Sequence, residues 1–176
     1  EIGSGLAYAQ RKTDKDGKES WFKTFGGAGD DRGCCALEVS GGGYVVTGRT
    51  RSAGAGAWDV YVVKTDDNGK VVWEKTFGRD GDDWGESIEQ TQDGGFIIAG
   101  RTRPAGESPW DVYLVRVDGE GRAMWEKTYP DSGSEWASSV KQRPDGGFVI
   151  AGTKRRGENG SWDIYLLTTD SKGNPE

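Results

Sequence analysis

The chain has 176 residues, of which 33% are hydrophobic and 30% charged, and its 23 Lys and Arg against 29 Asp and Glu leave a net charge of −6. That balance disfavours a nucleic-acid partner or an anionic membrane surface, both of which ask for a basic stripe, and no apolar run approaches the roughly 18 residues of a membrane span. His is absent, which removes the commonest general base, the serine-triad base and the usual metal ligand, while 8 Trp, 6 Tyr and 5 Phe mark a folded aromatic core rather than a disordered tail.

The 30 glycines are spread along the chain without a collagen period, so they imply many turns and favour strands over helices. Residues 1–18 read as a degenerate amino-terminal arm. Glu1 opens it with neither an initiator Met nor a charged-then-apolar leader, as expected of a processed or excised chain. Residues 21–25 (Trp21, Phe22, Lys23, Thr24, Phe25) read as a strand. Asp30 and Asp31 follow a Gly-containing bend. Cys34 and Cys35 are adjacent and cannot staple distant segments; a vicinal disulfide, a pairing between chains and two half-buried thiols all stay open. Next come GGGYVVTG from Gly41, a Gly-rich loop over 52–57, and WDVYVV from Trp58.

These elements then recur. Trp21, Trp73 and Trp125 open WFKTF, WEKTF and WEKTY; Trp58, Trp110 and Trp162 open WDVYVV, WDVYLV and WDIYLL; and DGGFIIAG from Asp93 and DGGFVIAG from Asp145 follow the string at Gly41. Every spacing is 52 residues, and setting 58–109 against 110–161 without gaps gives 23 identities in 52. Repeats therefore fall at about 19–70, 71–122 and 123–174 of a single repeat domain spanning 1–176.

Each unit predicts four strands. In the middle copy these are a polar strand near 84–91, an apolar strand over 96–102 after the Asp93-Gly94-Gly95 turn, a second apolar strand over 110–117, and an amphipathic strand over 123–129 after a tight turn with Gly121. Central strands apolar on both faces suit a four-stranded antiparallel sheet packed between like sheets. The expected fold is all-β and propeller-type, with three tandem 52-residue four-stranded antiparallel blades. The strings W-x-K-T-F-G-G, D-G-G-F-I-I-A-G and W-D-V-Y-L-V resemble tandem propeller-forming repeats of bacterial and archaeal secreted or cell-surface proteins. That resemblance covers about residues 21–173 and implies an extracellular or cell-surface location; such repeats share no catalytic residues. Residues 6–11 depart from it, holding the slot of WDVYVV without its Trp, Asp and Val.

Two blades are contiguous, and the third lacks its fourth strand, whose equivalent is residues 21–25 at the other end. Self-association through that strand is expected, as a ring or filament. Other candidate sites are weighed against structural roles. Asp30, Asp31, Asp82 and Asp83 carry oxygen ligands that Ca²⁺ takes, but Asp also caps turns through its own backbone, which is the simpler reading. Trp84 and Trp136, with Arg51, Arg103 and Arg155, suit sugar hydroxyls and ring faces, against packing between blades. The turns over 13–17, 65–69, 117–121 and 169–173 resemble Asp-box hairpins and read as structural. Asp59, Asp111 and Asp163 need buried partners, from those arginines or from loop amides. The expected function is a non-catalytic binding or structural module, whose partner is itself or another surface protein; a lectin-like carbohydrate module is the alternative. No catalytic residue, nucleic acid or obligatory cofactor is expected.

Overall fold

The computed structural model describes residues 8–106, 109–155 and 160–176. Leu6 and Ala7, at the head of the departing segment, and residues 107–108 and 156–159, in the loops before Trp110 and Trp162, lie outside the described residues. The fold is all-β. The strands are β1 (Tyr8–Thr13), β2 (Glu19–Phe25), β3 (Asp31–Glu38), β4 (Tyr44–Thr50), β5 (Asp59–Thr65), β6 (Val71–Phe77), β7 (Gly81–Gln90), β8 (Phe96–Pro104), β9 (Asp111–Val117), β10 (Ala123–Tyr129), β11 (Ser134–Gln142), β12 (Phe148–Arg155) and β13 (Trp162–Thr169). They form antiparallel meanders in chain order, namely β1–β2, β3–β6, β7–β10 and β11–β13. The segment expected as an amino-terminal arm thus supplies a strand. β1 pairs with β2 in the register of β5 with β6, since Tyr8 faces Phe25 as Val60 faces Phe77.

The turns follow from Asp chemistry. Asp66 Oδ1 accepts the Asn68 and Lys70 N–H groups, both at 2.9 Å, and Asp14, Asp118 and Asp170 do the same in their own turns. Each turn closes on a glycine in the left-handed region, with φ of 79° at Gly17, 73° at Gly69, 76° at Gly121 and 74° at Gly173. A Cβ there would be strained, and at the last three it would also strike the Trp rings described below.

Successive sheets stack face to face. One core gathers Val45, Val60 and Val62 of the first four-stranded sheet with Ile88, Phe96, Ile98, Tyr113 and Val115 of the second. The next gathers Ile97, Ala99, Val112 and Leu114 of the second with Ala137, Val140, Phe148 and Ile150 of the third. Neighbours such as Ile97 and Ile98 therefore point into different cores, because side chains alternate along a strand. Both are nearly inaccessible, and burying each is worth about 1.5–3 kcal/mol. This is why the central strands are apolar on both faces.

A second device joins the sheets. Trp21, Trp73 and Trp125 each stand edge-on to an aromatic ring of the following sheet, Tyr44, Phe96 and Phe148, with centroids 5.8, 6.0 and 5.9 Å apart. The Trp21 indole N–H donates to the Asp67 carbonyl and that of Trp73 to the Gly119 carbonyl, both at 3.0 Å. Each ring lies on the turn glycine of that sheet: Gly69, Gly121 and Gly173 respectively.

The first strand of each unit carries a β-bulge, at Gly33/Cys35, Gly85/Ser87 and Ala137/Ser139. It brings a backbone carbonyl onto the glycine opposite, so that a Cβ at Gly48, Gly100 or Gly152 would overlap the carbonyl oxygen of Arg32, Trp84 or Trp136. These glycines are required for close approach rather than for a turn. Gly100→Ala should therefore destabilise the chain by roughly 1–3 kcal/mol or more, read by urea denaturation, whereas Gly94→Ala meets no neighbouring atom and should cost only its left-handed φ.

Candidate functional site

The bulges bring Arg and Trp side chains into one continuous seam across the sheets. Trp84, half-buried on β7, carries the Arg49 guanidinium of the preceding sheet 3.8 Å from its ring centroid and the Arg101 guanidinium at 4.0 Å. Its ring also packs on Trp110 at 4.9 Å. Arg101 lies 4.9 Å from Trp110 and 4.9 Å from Trp136, and Trp136 packs on Trp162 at 4.4 Å. Such stacks contribute about 0.5–1 kcal/mol each at exposed sites and ~2 when desolvated. Trp84 and Trp136 thus each pack against a cation and an aromatic ring of the chain itself. Arg49 and Arg101 were not singled out from sequence, although both recur 52 apart as the first Arg of an Arg-Thr-Arg string.

The three arginines that were singled out sit at the edge of this seam. Arg51 lies 4.8 Å from the Trp58 ring, Arg103 4.6 Å from Trp110, and Arg155 5.6 Å from Trp162. Arg103 also pairs with Asp82 at 2.6 Å. Asp59 is held instead by loop amides, the N–H groups of Ala55 and Gly56, both at 3.1 Å.

The acidic pairs separate into two roles. Asp31 and Asp83 are buried. Asp31 accepts the Gly27 N–H at 2.9 Å and the Ser52 hydroxyl at 2.8 Å, and the Thr50 hydroxyl closes on its other oxygen. Asp83 accepts the Arg79 N–H at 2.9 Å. Glu135 occupies the same place in the third sheet, fully buried, with the Lys154 ammonium 3.5 Å away. Burial pushes the carboxyls of Asp83 and Glu135 above their ordinary range. Asp82 turns to Arg103, and the Asp30 carbonyl accepts the Arg51 N–H at 2.9 Å. Among the described residues no three His, Cys, Asp or Glu converge into a group that could hold a metal ion.

Cys34, Glu86 and Ser138 are the bulged residues of the three units. Both cysteines are free thiols, Cys34 exposed and Cys35 half-buried. Partial desolvation and the neighbouring Glu86 carboxylate push the thiol of the exposed Cys34 up to about 11, which favours its protonated form near neutrality. Of the candidate association strand, Trp21 faces the first four-stranded sheet and Phe25 is buried, whereas Phe22 is exposed beneath the Arg11 guanidinium.

The outward face of β11–β13 was not legible as such. Register places Ile164 where Val60 and Val112 stand, and Leu166 where Val62 and Leu114 stand. Those four are 0% exposed, but Ile164 is 92% and Leu166 67% exposed, with Trp162 at 47%. The only sequence signal was the strand count. No protein-family model and no curated protein matches the chain.

Two measurements probe the acids. Asp83 binds its proton more tightly folded than unfolded, so between its ordinary 3.8 and its raised folded value the native state holds more protons and stability falls as pH rises. Asp83→Asn, which keeps an acceptor for the Arg79 N–H, should flatten that fall in urea titrations run from mildly acidic to neutral pH. Separately, because Asp31, Asp82 and Asp83 are engaged by the chain's own donors, a chelator should leave the melting temperature unchanged in calorimetry; a drop reversed by Ca²⁺ would contradict the structural role.

Proposed function

We propose that this chain is a non-catalytic extracellular or cell-surface module, serving binding or structural roles, whose sheets are propeller-type blades and which self-associates by exchange of terminal strands. The observation that carries the reading is the exposed aliphatic pair Ile164 and Leu166, on a face that is fully covered in both preceding sheets. Monomers seldom leave a flat apolar sheet face and edge open to water, since both invite pairing. The repeated strings, with their resemblance to secreted and surface repeats, support the location. The recurrence of Arg, Asp and Trp in structural contacts at every sheet supports a scaffold rather than a single reactive centre.

In this reading residues 21–25 of one copy complete the β11–β13 sheet of another. Residues near the carboxyl end already begin that row, with Pro175 bridged to Thr169. Further along, no described strand lies beside the free edge of β13. The strand placed there would be β2, which lines the corresponding edge of β1. The contact joins two different surfaces, so it closes as a ring or runs on as a filament, according to its rotation.

Light scattering of the intact chain over a concentration series should give masses above the 19.0 kDa of one copy. Replacing Leu166, an exposed residue, with Asp should shift the population toward that mass without unfolding it. A wild-type chain that stays a 19.0 kDa monomer at its highest soluble concentration would refute self-association.

A further inference from the structure

We propose that the outward face of β11–β13 docks on the face of β3–β6 that precedes it in the stacking order, in a second copy of this chain, and that Arg32 and Thr153 specify this joint. The proposal rests on the self-association reading above and names the surfaces that meet.

Two joints inside the chain show what such a face receives. In the first, the Asp83 N–H donates to the Trp58 carbonyl at 2.7 Å and the Ser40 N–H to the Gln90 side chain at 2.8 Å. In the second, the Glu135 N–H donates to the Trp110 carbonyl at 2.8 Å and the Gln92 N–H to the Gln142 side chain at 2.8 Å. Both use the bulged first strand of the following sheet, which buries Gly85 and Ile88 in one case and Ala137 and Val140 in the other. The same positions of β3 are Gly33 and Ala36, and both are exposed. One end of the stack therefore offers an uncovered aliphatic face, and the other an uncovered first strand with small residues to receive it.

The two ends also depart from the repeat in a matched way. At each internal joint a guanidinium of one sheet meets a Trp of the next: Arg49 with Trp84 at 3.8 Å, and Arg101 with Trp136 at 4.9 Å. The residue that follows Arg49 and Arg101 in this series is Thr153, and the residue in the place of Trp84 and Trp136 is Arg32. Each departure alone breaks the pairing. Arg retained at 153 would confront Arg32 across the joint, and like charges so placed oppose association. Together they put a small hydroxyl opposite a cation that already rests 5.4 Å from the ring of its own Trp58. The two exceptions compensate only if these surfaces meet.

Docking has β13 take the place beside β2 that β1 holds. Tyr8 and Gln10 occupy the register positions of β1 that are aliphatic in β5, β9 and β13, so the exchange restores the pattern of the internal joints.

The experiment compares the intact chain with Thr153→Arg, Thr153→Glu, and the double variant Thr153→Arg with Arg32→Trp, by sedimentation velocity, using circular dichroism to confirm folding. Thr153→Arg should weaken association roughly tenfold or more, about 1.4 kcal/mol or above. Thr153→Glu, opposite in charge and similar in bulk, should strengthen it. The double variant, which recreates the internal Arg–Trp pair, should associate at least as well as the parent. An associating wild type whose Thr153→Arg form associates equally well overturns this joint and leaves self-association standing; so does equal weakening by Arg and Glu, or a double variant that does not recover. A wild type that never associates overturns both.

Discussion

The stack depends on one contact, the indole of each fourth strand laid across the turn of the following sheet. Trp21, Trp73 and Trp125 cover Gly69, Gly121 and Gly173, and the first two reach a backbone carbonyl at 3.0 Å. The contact couples three requirements. The turn must close on Gly because its φ is positive and because no Cβ fits beneath the ring. The Asp three residues earlier must hold the turn with its side chain, since a looser turn would move the carbonyl that the indole meets. The fourth strand, otherwise amphipathic and exposed, is fixed to the next sheet by its Trp.

Because the main contacts between the described sheets run to the next one along the chain, stability is close to a sum over sheets and joints, as in other repeat arrays. An internal sheet has both faces covered, and its aliphatic residues are inaccessible. A terminal sheet is short of one joint. The difference is visible in residues of identical chemistry: Val112 and Ile164 hold equivalent positions, one wholly covered and the other almost wholly open. β13 keeps the aliphatic residues of β9 at these positions, so the exposure of Ile164 and Leu166 follows from position in the stack rather than from their own chemistry.

That also marks what could be read from sequence. The 52-residue period, the strand order, the Asp–Gly turns and the two-faced central strands were legible, because each rests on local propensity or alternation. The β-bulges were not, since a bulge is a mismatch between two strands, and neither Gly85 nor Gly100 alone reports it. The Trp–Arg seam was half legible. Trp84 and Trp136 stood out as aromatics in polar strands, but the cations on them come from a different sheet, 35 residues away in the case of Arg49 and Trp84. For Asp59 the sequence left arginines and loop amides open, and the fold selects the amides, because its loop folds back onto the carboxylate. Side-chain partners across a joint are set by stacking geometry, which no single repeat encodes.

The joints are also electrostatically unequal, and the inequality has a direction. Asp31 receives an amide and two hydroxyls, and Asp83 an amide. Glu135, equally buried, meets the Lys154 ammonium at 3.5 Å in place of the closer amides that Asp31 and Asp83 receive. A carboxylate moved out of water is costly, and burial displaces its proton affinity upward although the Lys154 ammonium opposes the shift. The sheet that carries this acid is also the one with an uncovered face. Lost apolar burial and a buried carboxylate whose partner is a lysine at 3.5 Å therefore both fall on β11–β13. Local opening follows local stability, and within one copy the second sheet, with a core on each side, is the one best placed to resist it.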